Sequence, residues 1–506
     1  MGLTRRNFNK IGMGAIGASM LMANNTSQAQ DPEQKAYGMD PKPNPDYELP
    51  EGDHEAIRAE MKEKRRRDPR PNVLWIMTDQ QQWDLMGCAG NKKIHTPHID
   101  RLARKGIRFT ESYCPSPVCG PSRGSMVTGR MPHDTKVFHN GDPLSLEVPT
   151  IGEILRKEGY RTWWSGKWHI PEARLYVDAD VRGFHNIPLP KLPKSFLGDC
   201  QDMLFAGQSH DWLVWHAGLF SQPWFHATSL INPHDICYWP WTERDWAIGF
   251  ECKEYENVDT MPPVPQNLEI PNDEADAVGI RRNKVNLKRT DTAWRAYNAD
   301  YACMTETVDR AIGMVLEGAR KGGWLENTLI IFTSDHGDGG GSHKLTGKVT
   351  CYDEAAKVPM IIVPPGGLDE GRVDQESLVS GVDIAPTIFD YAGMKTMPET
   401  HGRSLRGAVE GKGPVQRDYV VMHVAPGSPK KEETRKIEGR VIRSKRYKYA
   451  IYNWGEKREM LFDLQKDPGE MQNLAPDSRH AHIIKDHRAM FNDWKKQTGD
   501  PFQING

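Results

Sequence analysis

Three apolar runs, each ending abruptly in polar residues, leave this 506-residue chain few folds to choose from. Asn72–Met77 is apolar almost throughout, and Pro223–Ile231 and Thr328–Thr333 have similar cores. None shows the regular polar alternation of a strand with one wet face, so each is predicted as a strand buried on both sides. They run directly into Thr78-Asp79-Gln80-Gln81, Asn232-Pro233-His234-Asp235 and Ser334-Asp335-His336-Gly337. Open α/β sheets bind ligands outside the carboxyl ends of their strands, and a carboxylate such as Asp79 at that point is a candidate ligand-binding group.

The segments between alternate in period. Helices are predicted from the Thr96 cap and Pro97 to Gly106, over Thr150–Gly159, over Asp291–Arg320 and from Asp383 to Gly393. Further strands are predicted over Ile107–Tyr113, Arg161–Ser165 and Pro359–Val363. From Gly402 the pattern changes to short strands, at Tyr419–Val424, Arg440–Arg443, Tyr447–Ile451 and Glu459–Asp463, with a last helix over His480–Lys496. The predicted class is α/β, a large mixed central sheet sandwiched by helices, with a smaller C-terminal antiparallel α+β subdomain. Residues 184–222 lack periodicity and are predicted as loops around the site, 250–288 as an insertion over its face, and Gly339-Gly340-Gly341 as a flexible stretch. Trp212, Trp215, Trp239, Trp241 and Trp246 either line a sugar-binding cleft or fill the core.

Charge and export signals narrow the partners. Sixty-six basic and 68 acidic side chains leave a net charge of -2, which gives no case for nucleic acid. No run of about eighteen apolar residues follows the N-terminus, so no membrane span is predicted. Thr4-Arg5-Arg6-Asn7-Phe8-Asn9-Lys10, the apolar run Ile11 to Met22 and Ser27-Gln28-Ala29 resemble a twin-arginine export signal cleaved after Ala29. No cysteine stands there to carry a lipid anchor, and a periplasmic or secreted protein is expected. The eight cysteines show no disulfide framework or CxxC metal spacing. Expected boundaries are 1–29 for the signal, 30–71 for an N-terminal arm, 72–401 for the catalytic domain and 402–506 for the subdomain.

The stretch from Cys119 to Arg130 carries the chemistry. Pro121 suits the first turn of a helix, and Cys119 just before it meets free backbone N–H groups and the positive end of the helix dipole. Arg123, one turn on, can fork onto an oxyanion. Gly166-Lys167-Trp168-His169 follows a strand, and the i, i+2 spacing puts Lys167 and His169 on one side.

Cys119-Gly-Pro-Ser-Arg with Thr128-Gly-Arg resembles the activation motif of the type I sulfatases, of the alkaline-phosphatase-like superfamily, and the likeness extends over most of residues 72–495. The resemblance implies oxidation of Cys119 to formylglycine (3-oxoalanine) by a formylglycine-generating or sulfatase-maturating enzyme, the hydrated aldehyde being the nucleophile. It implies one calcium ion on Asp79, Gln80, residue 119, Asp335 and His336. Gln80 departs from the usual second aspartate of that family. Arg123, Lys167 and Lys348 are expected on the sulfate oxygens. His169 is expected on the formylglycine hydroxyl, and His234 or Lys348 at the leaving oxygen. His343 matches a family histidine and is a candidate substrate contact; Asp235 either orients His234 or meets substrate. The expected activity is hydrolysis of sulfate esters on a carbohydrate or polysaccharide. Two rivals are a phosphonate monoester or phosphodiester hydrolase, whose relatives also carry Asp-Gln and Asp-His, and an inactive sulfated-glycan-binding protein.

Overall fold

A computed structural model describes residues 52–65, 67–170, 181–186, 198–241, 260–282, 286–428 and 430–503. The described part lies within one compact unit, Asp46–Gly506. Its strands are β1 Asn72–Asp79, β2 Ile107–Tyr113, β3 Arg161–Gly166, β4 His185–Asn186, β5 Trp224–Pro233, β6 Thr328–Ser334, β7 Met360–Val363, β8 Arg372–Ser380, β9 Tyr419–Val424, β10 Gly439–Ser444, β11 Tyr447–Tyr452 and β12 Glu459–Asp463. The first eight form one sheet in the order β4-β3-β5-β1-β6-β7-β2-β8, and the last four a second sheet in the order β12-β11-β10-β9.

The large sheet is mixed. β4, β3, β5, β1 and β6 pair in parallel, β7 runs antiparallel to both β6 and β2, and β2 pairs in parallel with β8. β1 is buried at all eight positions because helices cover both faces. Val73, Trp75 and Met77 enter one core with the helix Ile384–Tyr391, whereas Leu74 and Ile76 enter another with the helices Gly198–Asp211 and Asp291–Lys321. That two-sided burial removes the polar alternation from the sequence. Thr150 caps its helix with a full capping box to Glu153.

The small sheet is antiparallel throughout. One of its faces packs with Tyr352, Ala356 and Leu378, and the other holds Ile484 and Phe491 of the final helix Ala481–Thr498. Charged side chains cross between the sheets: Arg443 of β10 donates to Glu111 at 2.7 Å and to the Tyr113 hydroxyl at 2.8 Å.

Three expectations change. The aperiodic stretch 184–222 contains the helix Gly198–Asp211 and further helical turns to Leu219. Its Asp202 is buried and takes the backbone N–H groups of Ile231 and Asn232 at 2.6 and 2.9 Å, so an acid occupies an inner face and blurs the pattern. β8 was not predicted; its first residues, Arg372-Val373-Asp374-Gln375-Glu376, are mostly charged or polar and lie at the sheet edge. The glycine run is a hydrogen-bonded turn, with Gly339 N–H on the Gly347 carbonyl at 2.7 Å and Gly341 N–H on the Leu345 carbonyl at 2.9 Å. Of the tryptophans, Trp212 is core and Trp215 is exposed under Arg58. Trp239 donates to Asp300, and the side chains of Trp241 and Trp246 lie outside the described residues.

Candidate active site

Cys119 opens a helix, Cys119–Thr128, that is buried at every position. Val118 stands at its N-cap with no side-chain cap, and the Gly120 N–H is taken instead by Asn140 Oδ1 at 2.8 Å. The helix therefore directs its positive end into the space where the ends of β1, β3, β5 and β6 meet. Ser122 fixes its rotation by donating to the Asp335 carbonyl at 2.6 Å.

Asp79 ends β1 and Asp335 follows β6, its parallel neighbour. Arg123 reaches both: Nε donates to Asp335 Oδ2 at 2.7 Å and Nη2 to Asp79 Oδ2 at 2.9 Å. Nη1 donates to the Lys167 carbonyl and to Ser229 Oγ, each at 2.8 Å. Arg123 was expected to fork onto a bound oxyanion. The structure turns that fork onto the two carboxylates, and the side chain is 1% exposed.

The lysines complete a tight charge cluster. Lys167 Nζ lies 2.7 Å from Asp79 Oδ2, and Lys348 Nζ donates to Gln80 Oε1 at 2.8 Å and to Cys119 Sγ at 2.9 Å. His336 Nε2 is 3.2 Å from the same sulfur. Its Nδ1 lies 2.8 Å from the Gly337 carbonyl, which can only accept, so Nδ1 carries a proton. Burial opposes a charge on the ring, but Asp335 and Cys119 raise its pKa, and Nε2 is the nitrogen that a cation would take in place of a proton.

Burial and charge pull the ionisations in different directions. Burial and Asp79 push the Cys119 thiol up, but Lys348, Lys167 and His336 outweigh them and hold it well below the ordinary range. Burial also opposes ionisation of Asp79, yet Lys167, His234, Arg123 and Lys348 keep it well below the usual carboxylate range. For Asp335, burial and neighbouring Asp79 win, and its carboxyl is raised. Two adjacent acids forced apart in this way form a site that an added cation relieves. Asp79, Cys119, Asp335 and His336 are all buried, and each places a ligand-type atom within 4.8 Å of the others.

The remaining predicted residues divide. His234 follows β5 with a half-buried ring; burial, Lys167 and Lys348 bring it down to about 4. His169 has φ 62°, and its buried Nδ1 has no hydrogen-bond partner among the described residues. Asp235 and His343 have protein partners. Asp235 lies 3.8 Å from His234 Nδ1, beyond hydrogen-bond reach, and accepts the Gly198 N–H at a helix start. His343 is 1% exposed, stacked on Tyr352 with ring centroids 3.7 Å apart, and its Nε2 lies 3.3 Å from Asn267 Nδ2. Sequence reasoning missed Asn140 and Ser229, which bear no motif, and Asp338, an acid before three glycines.

The chain matches the sulfatase family over residues 71–394 and the N-sulphoglucosamine sulphohydrolase C-terminal family over 341–497. It is 28% identical over 459 residues to a Delta 4,5-hexuronate-2-O-sulfatase of Bacteroides thetaiotaomicron, covering 86% of this chain and 90% of that protein. A solved 2-O GAG sulfatase is 27% identical with a TM-score of 0.72, covering 85% of this chain and 93% of its own. The phosphonate monoester hydrolase of Agrobacterium radiobacter shares the fold, at 24% identity and a TM-score of 0.71, over 85% of this chain and 96% of its own. A match through the central sheet and across Cys119, Asp79 and Asp335 means that this chain belongs to the sulfatase family.

Proposed function

We propose that the chain hydrolyses sulfate esters of carbohydrates, using residue 119 after conversion to formylglycine and one calcium ion. The observation that carries this reading is the meeting of Asp79, Cys119, Asp335 and His336 within 4.8 Å, with Lys348 at 2.9 Å from the sulfur. The donor set fits a hard cation with a borderline ligand: two carboxylates, one displaced in ionisation by the other, and an imidazole whose Nδ1 is already tied. Asp79, Asp335, His336 and residue 119 would hold the ion, with Gln80 beside them. When present, calcium polarises sulfate oxygens and formylglycine supplies, through its hydrate, an oxygen nucleophile.

The chain's own groups divide the remaining work. Arg123 holds the carboxylates of Asp79 and Asp335 in register. Lys167 and Lys348 neutralise the non-bridging sulfate oxygens as charge develops. His234 is neutral near pH 7, since it is depressed to about 4, so it orients the ester oxygen by hydrogen bonding. Lys348 is cationic and is the better group to give a proton to the leaving oxygen. His169, whose buried Nδ1 has no partner among the described residues, would accept the proton of residue 119 once that residue is converted. The hexuronate-2-O-sulfatase and 2-O GAG sulfatase likenesses support a uronate-bearing glycan as substrate class.

Sulfate release from 2-O-sulfated unsaturated uronate disaccharides and N-acetylglucosamine 6-sulfate, beside a phenylphosphonate monoester, tests the reading. Cys119→Ala should lower turnover at least about 10⁴-fold while circular dichroism stays unchanged. A higher kcat/KM on the phosphonate would instead favour the Asp79-Gln80 and Asp335-His336 likeness to phosphonate hydrolases.

Maturation and export belong to the same proposal. Cys119 has no solvent exposure in the folded chain, so its maturating enzyme must act before the helix Cys119–Thr128 packs. The twin-arginine-like segment then directs the protein to the periplasm. Cys303 is disulfide-bonded, a bond that an oxidising compartment permits. No helix among the described residues is long and apolar enough to cross a membrane. Replacing Arg5 and Arg6 by lysine should leave the protein in the cytoplasm with residues 1–29 uncleaved, read by fractionation and intact mass.

A further inference from the structure

Asp338 lies two residues past His336, and its carboxylate is fully buried. Four donors surround it. Oδ1 accepts from the Tyr297 hydroxyl and from Gly340 N–H, both at 2.8 Å. Oδ2 accepts from Gln80 Nε2 at 2.7 Å and from Gly347 N–H at 2.9 Å. An amide is nearly symmetric in outline, so the groups facing it decide which end points where. Gln80 has an acceptor on one side, the Asp338 carboxylate, and a donor on the other, the Lys348 ammonium, 2.8 Å from Oε1. Turning the amide over would set oxygen against carboxylate and NH2 against ammonium, making both contacts repulsive at once.

Asp338 holds more than the amide. The N–H groups of Gly340 and Gly347 tie both ends of the turn that delivers Lys348 to the same carboxylate. Tyr297 and Tyr301 come from the helix Asp291–Lys321; Tyr301 donates its hydroxyl to the Gln80 backbone carbonyl. The side chain of Gln80 is therefore fixed at both ends, and the group beyond it, Lys348 Nζ, is 2.9 Å from Cys119 Sγ.

We propose that Asp338 is a positioning residue of the reaction: acting through Gln80, it aims the Lys348 ammonium at residue 119. The inference rests on the sulfate-ester reading above. It also accounts for a neutral residue at position 80, because a carboxylate there would face the Asp338 carboxylate across 2.7 Å.

A sign reversal between two backgrounds tests this. In the calcium-loaded, formylglycine-bearing full chain, Asp338→Asn sets an NH2 against one pair of donors. Its kcat on 4-nitrophenyl sulfate should fall about 10²-fold, with KM changed less than about threefold. Gln80→Glu should lose a similar amount by placing two carboxylates together. In the pair Gln80→Glu/Asp338→Asn the order of donor and acceptor returns, and kcat should rise at least about tenfold above Gln80→Glu alone. A pair no better than Gln80→Glu, or an Asp338→Asn protein with wild-type kcat, would overturn the proposal and leave Asp338 a staple of the turn. If Asp338→Asn alone does not fold, the comparison of Gln80→Glu with the pair still decides. The same variants melted in EDTA on a Cys119→Ala background give a readout free of turnover: the pair should melt above Gln80→Glu, and an equal or lower midpoint overturns the proposal. A wild-type protein that cleaves no sulfate ester would sink the functional reading, and the melting order would still decide the hold of Asp338 on Gln80.

Discussion

With Arg123 replaced by methionine, the buried carboxylates of Asp79 and Asp335 would lose the guanidinium that now lies 2.9 and 2.7 Å from them. Removing one partner of a buried ion pair costs about 3–5 kcal/mol, because the other charge stays desolvated and unpaired. Arg123→Met should lower the unfolding free energy by that order in EDTA, as read by urea denaturation. A loss below about 1 kcal/mol would show that the acids simply protonate. Arg123→Lys should fall between, since an ammonium is a point charge and cannot fork between two carboxylates as a guanidinium does. The sequence showed that Arg123 stands one helical turn from Cys119. It did not show which anion the guanidinium meets, because Asp79 and Asp335 lie 44 and 212 residues away in opposite directions.

At the scale of an element, the end of β3 is built on one glycine. Gly166 has φ +95°, and a Cβ there would lie 2.0 Å from the Ser229 carbonyl oxygen of β5. The same carbonyl accepts the Lys167 N–H at 2.9 Å. Gly166→Ala should therefore part β3 from β5 just where Lys167 and Ser229 meet Arg123. We expect a loss of at least about 2 kcal/mol by thermal unfolding, together with a larger fall in kcat than in substrate affinity. Unchanged activity in a folded Gly166→Ala protein would mean that Lys167 is placed by its ion pair with Asp79 and not by the strand. The Gly-Lys-Trp-His pattern marked this strand end correctly. The helix Gly198–Asp211 escaped because it packs against both β5 and the helix Asp291–Lys321, so no single apolar stripe marks it.

Across the whole molecule, histidines join loops of the large sheet to the small sheet and the chain end. His133 Nδ1 lies 3.4 Å from His423 Nε2, and that nitrogen lies 3.3 Å from Asp500 Oδ2. Arg440 of β10 grips both oxygens of Asp500 at 2.7 and 2.8 Å, and His401 stacks on His133 with centroids 5.2 Å apart. Burial first, then Arg440, brings His423 down to about 3, and burial lowers His133 as well. A histidine depressed in the folded state binds its proton more readily when unfolded. Its contribution is complete above the unfolded value near 6.5 and is lost as pH falls toward the folded value. Between pH 6.5 and 4.5 the wild type should lose about 2 kcal/mol more than His423→Asn, measured as urea unfolding free energies. Parallel curves would show that Asp500 compensates the charge fully.

Local chemistry made the elements legible. Apolar runs, a Thr150 cap, Pro97 at a helix start and Gly106 at its end are properties of neighbours in the chain, and they marked most strands and helices to within a few residues. The same runs end in the polar residues that form the site, so its membership was largely readable. Partners were not. Gln80 meets Asp335 across 255 residues because β1 lies between β5 and β6 in the sheet. Strand order is a property of packing, and only packing turned Arg123 onto carboxylates, set Asp235 on the Gly198 N–H and His343 beside Asn267, and placed Asp338 behind Gln80.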